Sequence, residues 1–155
     1  MIRPGRADDV EALARLWHEA WHDAHATLVP RGLVEQRTVE NFVPRLQALI
    51  EREDLLVWGE PPGGFVAVAE DELYQLMVGA AARGTGAAAA LLRAGRERIR
   101  EAGHGVAWLD CAVGNERARC FYEREGWRIV REETIDLSTP AGAFPVRSWR
   151  METET

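Results

Sequence analysis

Leu76-Met77-Val78-Gly79-Ala80-Ala81-Ala82-Arg83-Gly84-Thr85-Gly86-Ala87-Ala88 is the stretch at which the chain changes character. An apolar run ends at Val78, small residues turn the chain, and a helical pattern begins. Ala88, Leu91, Leu92, Gly95, Ile99 and Ala102 mark one face of that helix, arginines and Glu97 occupy the other, and Gly103 ends it. Glycines at 84 and 86 let backbone N–H groups approach an anion without obstruction by a Cβ. The helix start adds unpaired donors and the positive end of a dipole. Arg83 adds a full charge. Strand, glycine turn and helix in this order predict a phosphate cradle, and its size suits a pyrophosphate.

Upstream, Asp8 to about Ala24 has helical spacing, with Val10, Leu13, Ala14, Trp17 and Trp21 in one stripe and Asp8 or Asp9 able to cap its start. Thr27 to Gly32, with Pro30, reads as a loop. A second helix lies within Thr38 to Glu51, where Pro44 obscures the start. Leu55–Trp58 and Phe65–Ala69 are strands flanking the turn Pro61-Pro62-Gly63-Gly64, and a third strand runs from Glu72 to Val78. Downstream, Val106 to Val113 reads as a buried strand, Asn115 to Arg124 as a helix, Gly126-Trp127 as the opening of a strand to about Leu137, and Val146 to Met151 as a last strand. With a short first strand near Ile2, the order αα-βββ-α-β-α-ββ predicts an α/β protein with a mixed sheet covered by helices.

The 155 residues, 46% hydrophobic, suit one domain spanning 1–155 with one core. No apolar run approaches the roughly 20 residues that cross a bilayer, and Met1-Ile2-Arg3-Pro4-Gly5-Arg6 lacks the apolar stretch of a secretion signal. Cys111 and Cys120 have no metal-ligand spacing and fit a reducing cytosol, so a cytoplasmic protein free of any membrane is expected. A formal net charge of −6 argues against a broad nucleic-acid-binding face. All 19 basic residues are arginines. Walker-type nucleotide binding through a loop lysine and Schiff-base chemistry are thereby excluded.

A second segment, Asn115-Glu116-Arg117-Ala118-Arg119-Cys120-Phe121-Tyr122-Glu123-Arg124-Glu125-Gly126-Trp127, joins the first. Together they resemble the GNAT superfamily of acetyl-CoA-dependent N-acetyltransferases. Its loop signature is Arg/Gln-x-x-Gly-x-Gly/Ala, which Arg83, Gly86 and Ala88 fit in register. Its later segment is Asn-x-x-Ala-x-x-Phe-Tyr-x-x-x-Gly-Phe/Trp. The resemblance is sharp over Glu72 to Trp127 and architectural elsewhere. Ala80 departs from it, standing where many members have proline.

The resemblance implies a mostly antiparallel sheet of about six to seven strands with helices on both faces. It implies acetyl-CoA as cosubstrate and no metal. The pyrophosphate would lie on Arg83, Gly84, Thr85, Gly86, Ala87 and Ala88, with backbone groups at Met77 and Val78 and the side chain of Asn115 holding the pantetheine arm. Tyr122 matches the family's general acid, and Glu72 resembles the catalytic glutamate of the histone-acetylating branch. Regular alternation would put Glu72, Tyr74, Leu76 and Val78 on one strand face, Gln75 and Met77 on the other. The acceptor, a small-molecule or peptide amine, should enter between the first two helices and the late strands, where Trp21, His25 and Leu28 to Pro30 are candidate lining. Net negative charge favours a cationic amine, and exposed late strands could pair two copies into a homodimer.

Other readings compete for the same residues. Gly84-x-Gly86-x-x-Ala89 satisfies the loose dinucleotide fingerprint, with Asp110 ending a later strand as a ribose-binding acid would. Against this, Gly79 to Arg83 separates the glycines from their strand, and too little chain follows Asp110 to complete that fold. His18-Glu19-Ala20-Trp21-His22 matches the zinc-protease helix His-Glu-x-x-His, with His25 one turn later, but no convincing third ligand and cleft follow and a polar helix face accounts for it. A family-like module that binds CoA without catalysis remains an alternative.

Overall fold

A computed structural model describes residues 1–155. Seven strands form one sheet: β1 (Ile2–Pro4), β2 (Leu55–Trp58), β3 (Gly64–Ala69), β4 (Glu72–Val78), β5 (Val106–Ala112), β6 (Arg128–Thr139) and β7 (Gly142–Glu154). Their spatial order is β1-β2-β3-β4-β5-β7-β6. Every neighbouring pair is antiparallel except β4 with β5. Helices α1 (Val10–His25), α2 (Arg31–Gln36) and α3 (Val39–Glu51) cover one face, and α4 (Ala87–Glu101) and α5 (Glu116–Arg124) the other.

The stripe on α1 is buried, with Leu13, Ala14 and Trp17 fully inaccessible. Trp17 packs on Phe42 of α3 at 4.6 Å and edge-on to Phe65 of β3 at 5.2 Å between ring centroids. Thr38 caps α3 by accepting from the Asn41 amide at 3.1 Å, and the helix continues through Pro44. On the opposite face Leu91, Leu92 and Ile99 of α4 pack onto Val66, Val68 and Leu73.

Three expectations need correction. The segment read as a loop to Gly32 enters α2 at Arg31, where Pro30 fixes the entry backbone at φ −55° and Leu33 is buried beneath. Gly32 is a packing glycine: a Cβ there would meet the Phe144 ring at 2.5 Å. The last two strands are longer than their apolar patterns, reaching Thr139 and spanning Gly142–Glu154, because the added residues (Ser138-Thr139, Gly142 to Pro145 and Glu152 to Glu154) are mostly polar, small or proline and carry no apolar alternation.

The third correction concerns β4. Ala67 pairs with Gln75 but Val68 pairs with Leu73, leaving Tyr74 as a bulged extra residue. Beyond a bulge the alternation inverts. Glu72, opposite Ala69, therefore shares a face with Gln75 and Met77, opposite Ala67 and Phe65. Leu73 joins Leu76 and Val78 on the α4 side. The bulge turns Glu72 to the side of α1 and α3.

The parallel junction positions the site. β4 and β5 meet only where Glu72 lies beside Trp108, reinforced by the Trp108 amide donating to the Asp71 carbonyl at 3.1 Å and its indole N–H to the Asp71 carboxylate at 3.0 Å. β5 is paired with β7 from Val106 to Ala112, so it stays in the sheet while β4 diverges from it. The sheet opens into a split whose apex is Glu72.

Candidate active site

The split holds a cavity of about 720 Å³. β4 from Glu72 to Val78 forms one wall and β5 from Leu109 to Ala112 the other. The edge of β4 facing β5 has no strand partner after Glu72, so its main chain is free to pair with an extended ligand.

At the mouth, one turn of 3₁₀ helix (Ala80–Ala82) leads into the glycine loop. Gly84 has φ +75° and Gly86 φ +85°, left-handed backbone that other residues adopt at a cost. No heavy atom lies within 4 Å of where a Cβ would stand on either, so backbone conformation, not crowding inside the chain, demands glycine here. Gly86 ends the loop as the N-cap of α4. The amides of Arg83, Thr85 and Ala87 are taken by chain acceptors, while those of Gly84, Gly86, Ala88 and Ala89 have none. Those free donors fit a phosphate-bearing ligand.

Arg83, Gly84, Gly86, Ala87 and Ala88 all line the cavity. Thr85 does not: its hydroxyl bonds the Ala82 carbonyl at 2.5 Å and accepts from the Ala87 amide at 3.3 Å, which holds the loop closed. Arg83 makes a loose 3.4 Å pair with Asp23. From α5, Arg117 and Arg124 add positive charge to the lining. Asn115 caps α5 through Oδ1, accepting from the Ala118 amide at 3.4 Å. Its amide N–H₂ is left over, and the residue lines the cavity beside β5.

Deeper in, Glu72 is partly buried and faces Asp110 across the apex. Burial pushes the Glu72 carboxyl up to about 7, and the negative charges of Asp110 and Asp71 add to this against Arg150. Burial also raises Asp110, aided by Glu133, whose carboxyl lies within hydrogen-bonding reach. Asp110 Oδ1 is shielded from solvent and receives no hydrogen bond. Tyr122 reaches the same cavity from α5, with its ring 5.5 Å from Phe121 and 6.3 Å from Trp127. Burial drives its hydroxyl well above the ordinary phenol range, so it stays protonated at any working pH. Burial likewise pushes the neighbouring Cys111 thiol up to about 12.

Trp21 and His25 close the α1 side. Trp21 belongs to the core, 6% exposed, with one edge on the cavity. His25 bonds the Trp21 carbonyl through Nδ1 at 3.0 Å, and burial lowers its proton affinity. Of Leu28 to Pro30, Val29 lines the cavity and Leu28 and Pro30 do not. The zinc-like pair is otherwise engaged: His22 Nε2 contacts the Arg37 carbonyl at 2.7 Å, and the His18 ring packs against His22 and Phe42. No group of three His, Cys, Asp or Glu side chains stands close enough to hold a metal ion.

Sequence reasoning missed Arg117, Arg124 and Ser148 as lining, and met Asp110 only as a rejected ribose acid. The helix pattern of Asn115 to Arg124 could have flagged the two arginines. Asp110 and Ser148 come together only through the sheet order.

The free amides of the loop, the two walls of the split and the apex carboxyl all open onto one cavity. The model of the acetyltransferase (GNAT) family matches residues 13–127, and the chain belongs to that family. No curated protein matches the sequence. Among solved structures, the ribosomal-protein-alanine N-acetyltransferase of Brucella melitensis is similar at 19% identity and TM-score 0.74, covering 100% of this chain and 99% of its own. The PaiA N-acetyltransferase of Thermoplasma acidophilum, in complex with coenzyme A, is 17% identical with TM-score 0.71, covering 100% and 98%. An N-acetyltransferase of Staphylococcus aureus is 15% identical with TM-score 0.74, covering 99% and 97%. At such identities the likeness is one of fold. No helix of the chain is long and apolar enough to cross a membrane.

Proposed function

We propose that the chain moves the acetyl group of acetyl-CoA to a primary amine by direct attack within one ternary complex. One observation carries this reading: the free amides of the glycine loop and the half-buried Glu72 and Tyr122 side chains open onto one continuous cavity. Acetyl-CoA supplies an activated acetyl thioester. Gly84, Gly86, Ala88 and Ala89 would hold its pyrophosphate through their amides, with Arg83 neutralising charge. The unpaired edge of β4 at Met77 and Val78, with Asn115 opposite, would hold the pantetheine arm and polarise the acetyl carbonyl. The PaiA relative with coenzyme A bound supports this choice of donor.

Glu72 acts as the base. An ammonium of pKa about 10.4 loses its proton to an ordinary carboxylate at a cost of about 8 kcal/mol. With Glu72 at about 7 the same transfer costs about 4–5 kcal/mol. Tyr122 donates to the departing sulfur. An unperturbed thiol near pKa 8.5 would leave that proton transfer uphill. Partial burial in the split disfavours a thiolate relative to its thiol, so a thiolate formed there accepts the proton more readily.

Calorimetric titration with acetyl-CoA, followed by thiol release on a panel of amines, tests the reading. Tight binding with amine-dependent thiol release is the expected result. Binding without release on any amine would make the chain a carrier module instead. No binding would remove the donor assignment.

A further inference from the structure

We propose that Asp110 determines acceptor specificity: with Glu72 it makes the deep end of the cavity anionic, so the acceptor is a cationic amine with no carboxylate beside the reacting nitrogen. The proposal rests on the acetyl-transfer reading and assigns the charge of the acceptor within it.

Sheet register places the relevant groups. Asp110 pairs with Arg150, Ala112 with Ser148, and Glu133 with Ser148, so these side chains share the face to which the β4 bulge turns Glu72. Of the carboxyls on that face, Glu72 and Asp110 line the cavity; Asp136, on the other face of β6, adds a third negative group to the lining. Neither Glu72 nor Asp110 has an ion-pair partner in the chain, whereas Glu133 is paired with Arg131 at 2.9 Å and Glu152 with Arg150 at 3.3 Å.

The cations near this end are committed elsewhere. Arg150 stacks over the Trp108 ring at 4.0 Å, and Arg45 of α3 lies over Trp17 at 4.3 Å while donating to the Tyr74 hydroxyl at 2.9 Å. Neither lines the cavity. Its cationic lining, Arg83, Arg117 and Arg124, belongs to the loop and α5 at the coenzyme end. The remaining charge acting on Glu72 is that of Asp71, in the turn just before β4, while the titratable group that α1 contributes to the lining is His25, whose proton affinity is lowered. An acceptor carboxylate near the nucleophilic nitrogen would meet two carboxyls and no free guanidinium. An ammonium meets two acceptors whose nearby guanidinium, Arg150, is held by Trp108 and Glu152 and makes no ion pair with either.

The reacting cation's proton passes to Glu72, which becomes a neutral acid, so one negative charge must remain to hold any second positive group of the acceptor. Asp110 supplies it.

Alanine, alaninamide and a linear diamine serve as probes, with kcat/KM referred to the neutral-amine fraction. Alaninamide and alanine differ only in the carboxylate. The wild-type protein should favour alaninamide by about 10-fold or more. Asp110→Asn and, as a second variant, Asp110→Ser should shrink that preference by roughly 5-fold or more and weaken diamine binding to the protein–CoA complex. Their acetyl-CoA affinity should match the wild type and their melting temperature should not fall below it, and a merely structural role for Asp110 would not move the ratio. Equal use of alanine and alaninamide, or a ratio unchanged in both variants, overturns the proposal. So does a wild-type protein that binds acetyl-CoA yet neither binds nor acetylates the two cationic probes, which leaves the donor assignment standing. Failure to bind acetyl-CoA overturns that assignment itself.

Discussion

At its mouth the cavity meets a ligand with main chain; at its apex it presents side chains from separate strands. The mouth is one contiguous stretch, Arg83 to Ala89, whose two left-handed glycines free four amides at a helix start. The apex gathers Glu72 from β4, Asp110 from β5 and Ser148 from β7, which are far apart in sequence and meet through the strand order. A backbone site recognises what is common to a class of ligands, here a phosphate. A side-chain site can change its preference with one substitution. The difference predicts that damage at the mouth weakens donor binding, and damage at the apex slows chemistry.

The largest expected effect lies at the apex. Glu72→Gln removes the base and should lower kcat/KM for the amine by about 10²- to 10⁴-fold while leaving acetyl-CoA affinity unchanged. In the wild type, kcat/KM should rise with pH through a limb centred near 7, because Glu72 must be ionised to accept a proton. The limb should vanish in the variant. A retained limb, or a matching loss of acetyl-CoA binding, would break the division between the two ends. Tyr122→Phe comes next, with kcat about 10- to 100-fold lower where chemistry is rate-limiting. Since the buried hydroxyl stays protonated, it should add no alkaline limb below about pH 10.

The same division explains what could be read from the sequence. Arg83 to Ala88 and Asn115 to Trp127 are local patterns, and all but Thr85 of the loop residues named from them line the cavity. The element order followed from apolar periodicity, and the sheet is mostly antiparallel with helices on both faces, as expected. The face of Glu72 could not follow from alternation, because a single bulged residue at Tyr74 inverts the count and nothing in Glu72-Leu73-Tyr74-Gln75 marks it. Asp110 was invisible for a related reason. Its neighbours Glu133, Ser148 and Arg150 reach it across two strand pairings that no sequence spacing encodes.

At the mouth the expected losses are smaller and of another kind. Gly86→Ala forces an L-residue to φ +85°, a cost of about 1–2 kcal/mol. Because a Cβ there touches nothing in the chain, the strain should be relieved by shifting the loop. The KM for acetyl-CoA should rise about 10-fold, with kcat at saturating donor nearly unchanged. Steady-state kinetics with donor varied at fixed amine separates the two parameters. A fall in kcat with an unchanged donor KM would mean that the loop serves the apex as well.

The smallest effect concerns stability and has the opposite sign to the loss of activity. Burial holds the Glu72 carboxyl at about 7 in the folded chain, against 4.5 for an ordinary glutamate. Between those values the folded state binds more protons than the unfolded state, so folding stability falls as pH rises through that window. The cost is fully present above about pH 7 and absent below about pH 4.5. Glu72→Gln removes the ionisation, and partial solvent exposure of the site reduces the gain to about 1 kcal/mol, or roughly 2–4 °C in Tm. Thermal melts of both proteins at about pH 8 and pH 5 should show the variant more stable at the higher pH and nearly equal at the lower. Equal melting at both would mean that Glu72 ionises without penalty, and its activity as a base would then need another source. A gain present only at the alkaline end would make Glu72 a residue held at the expense of the fold, which no amide of the glycine loop is.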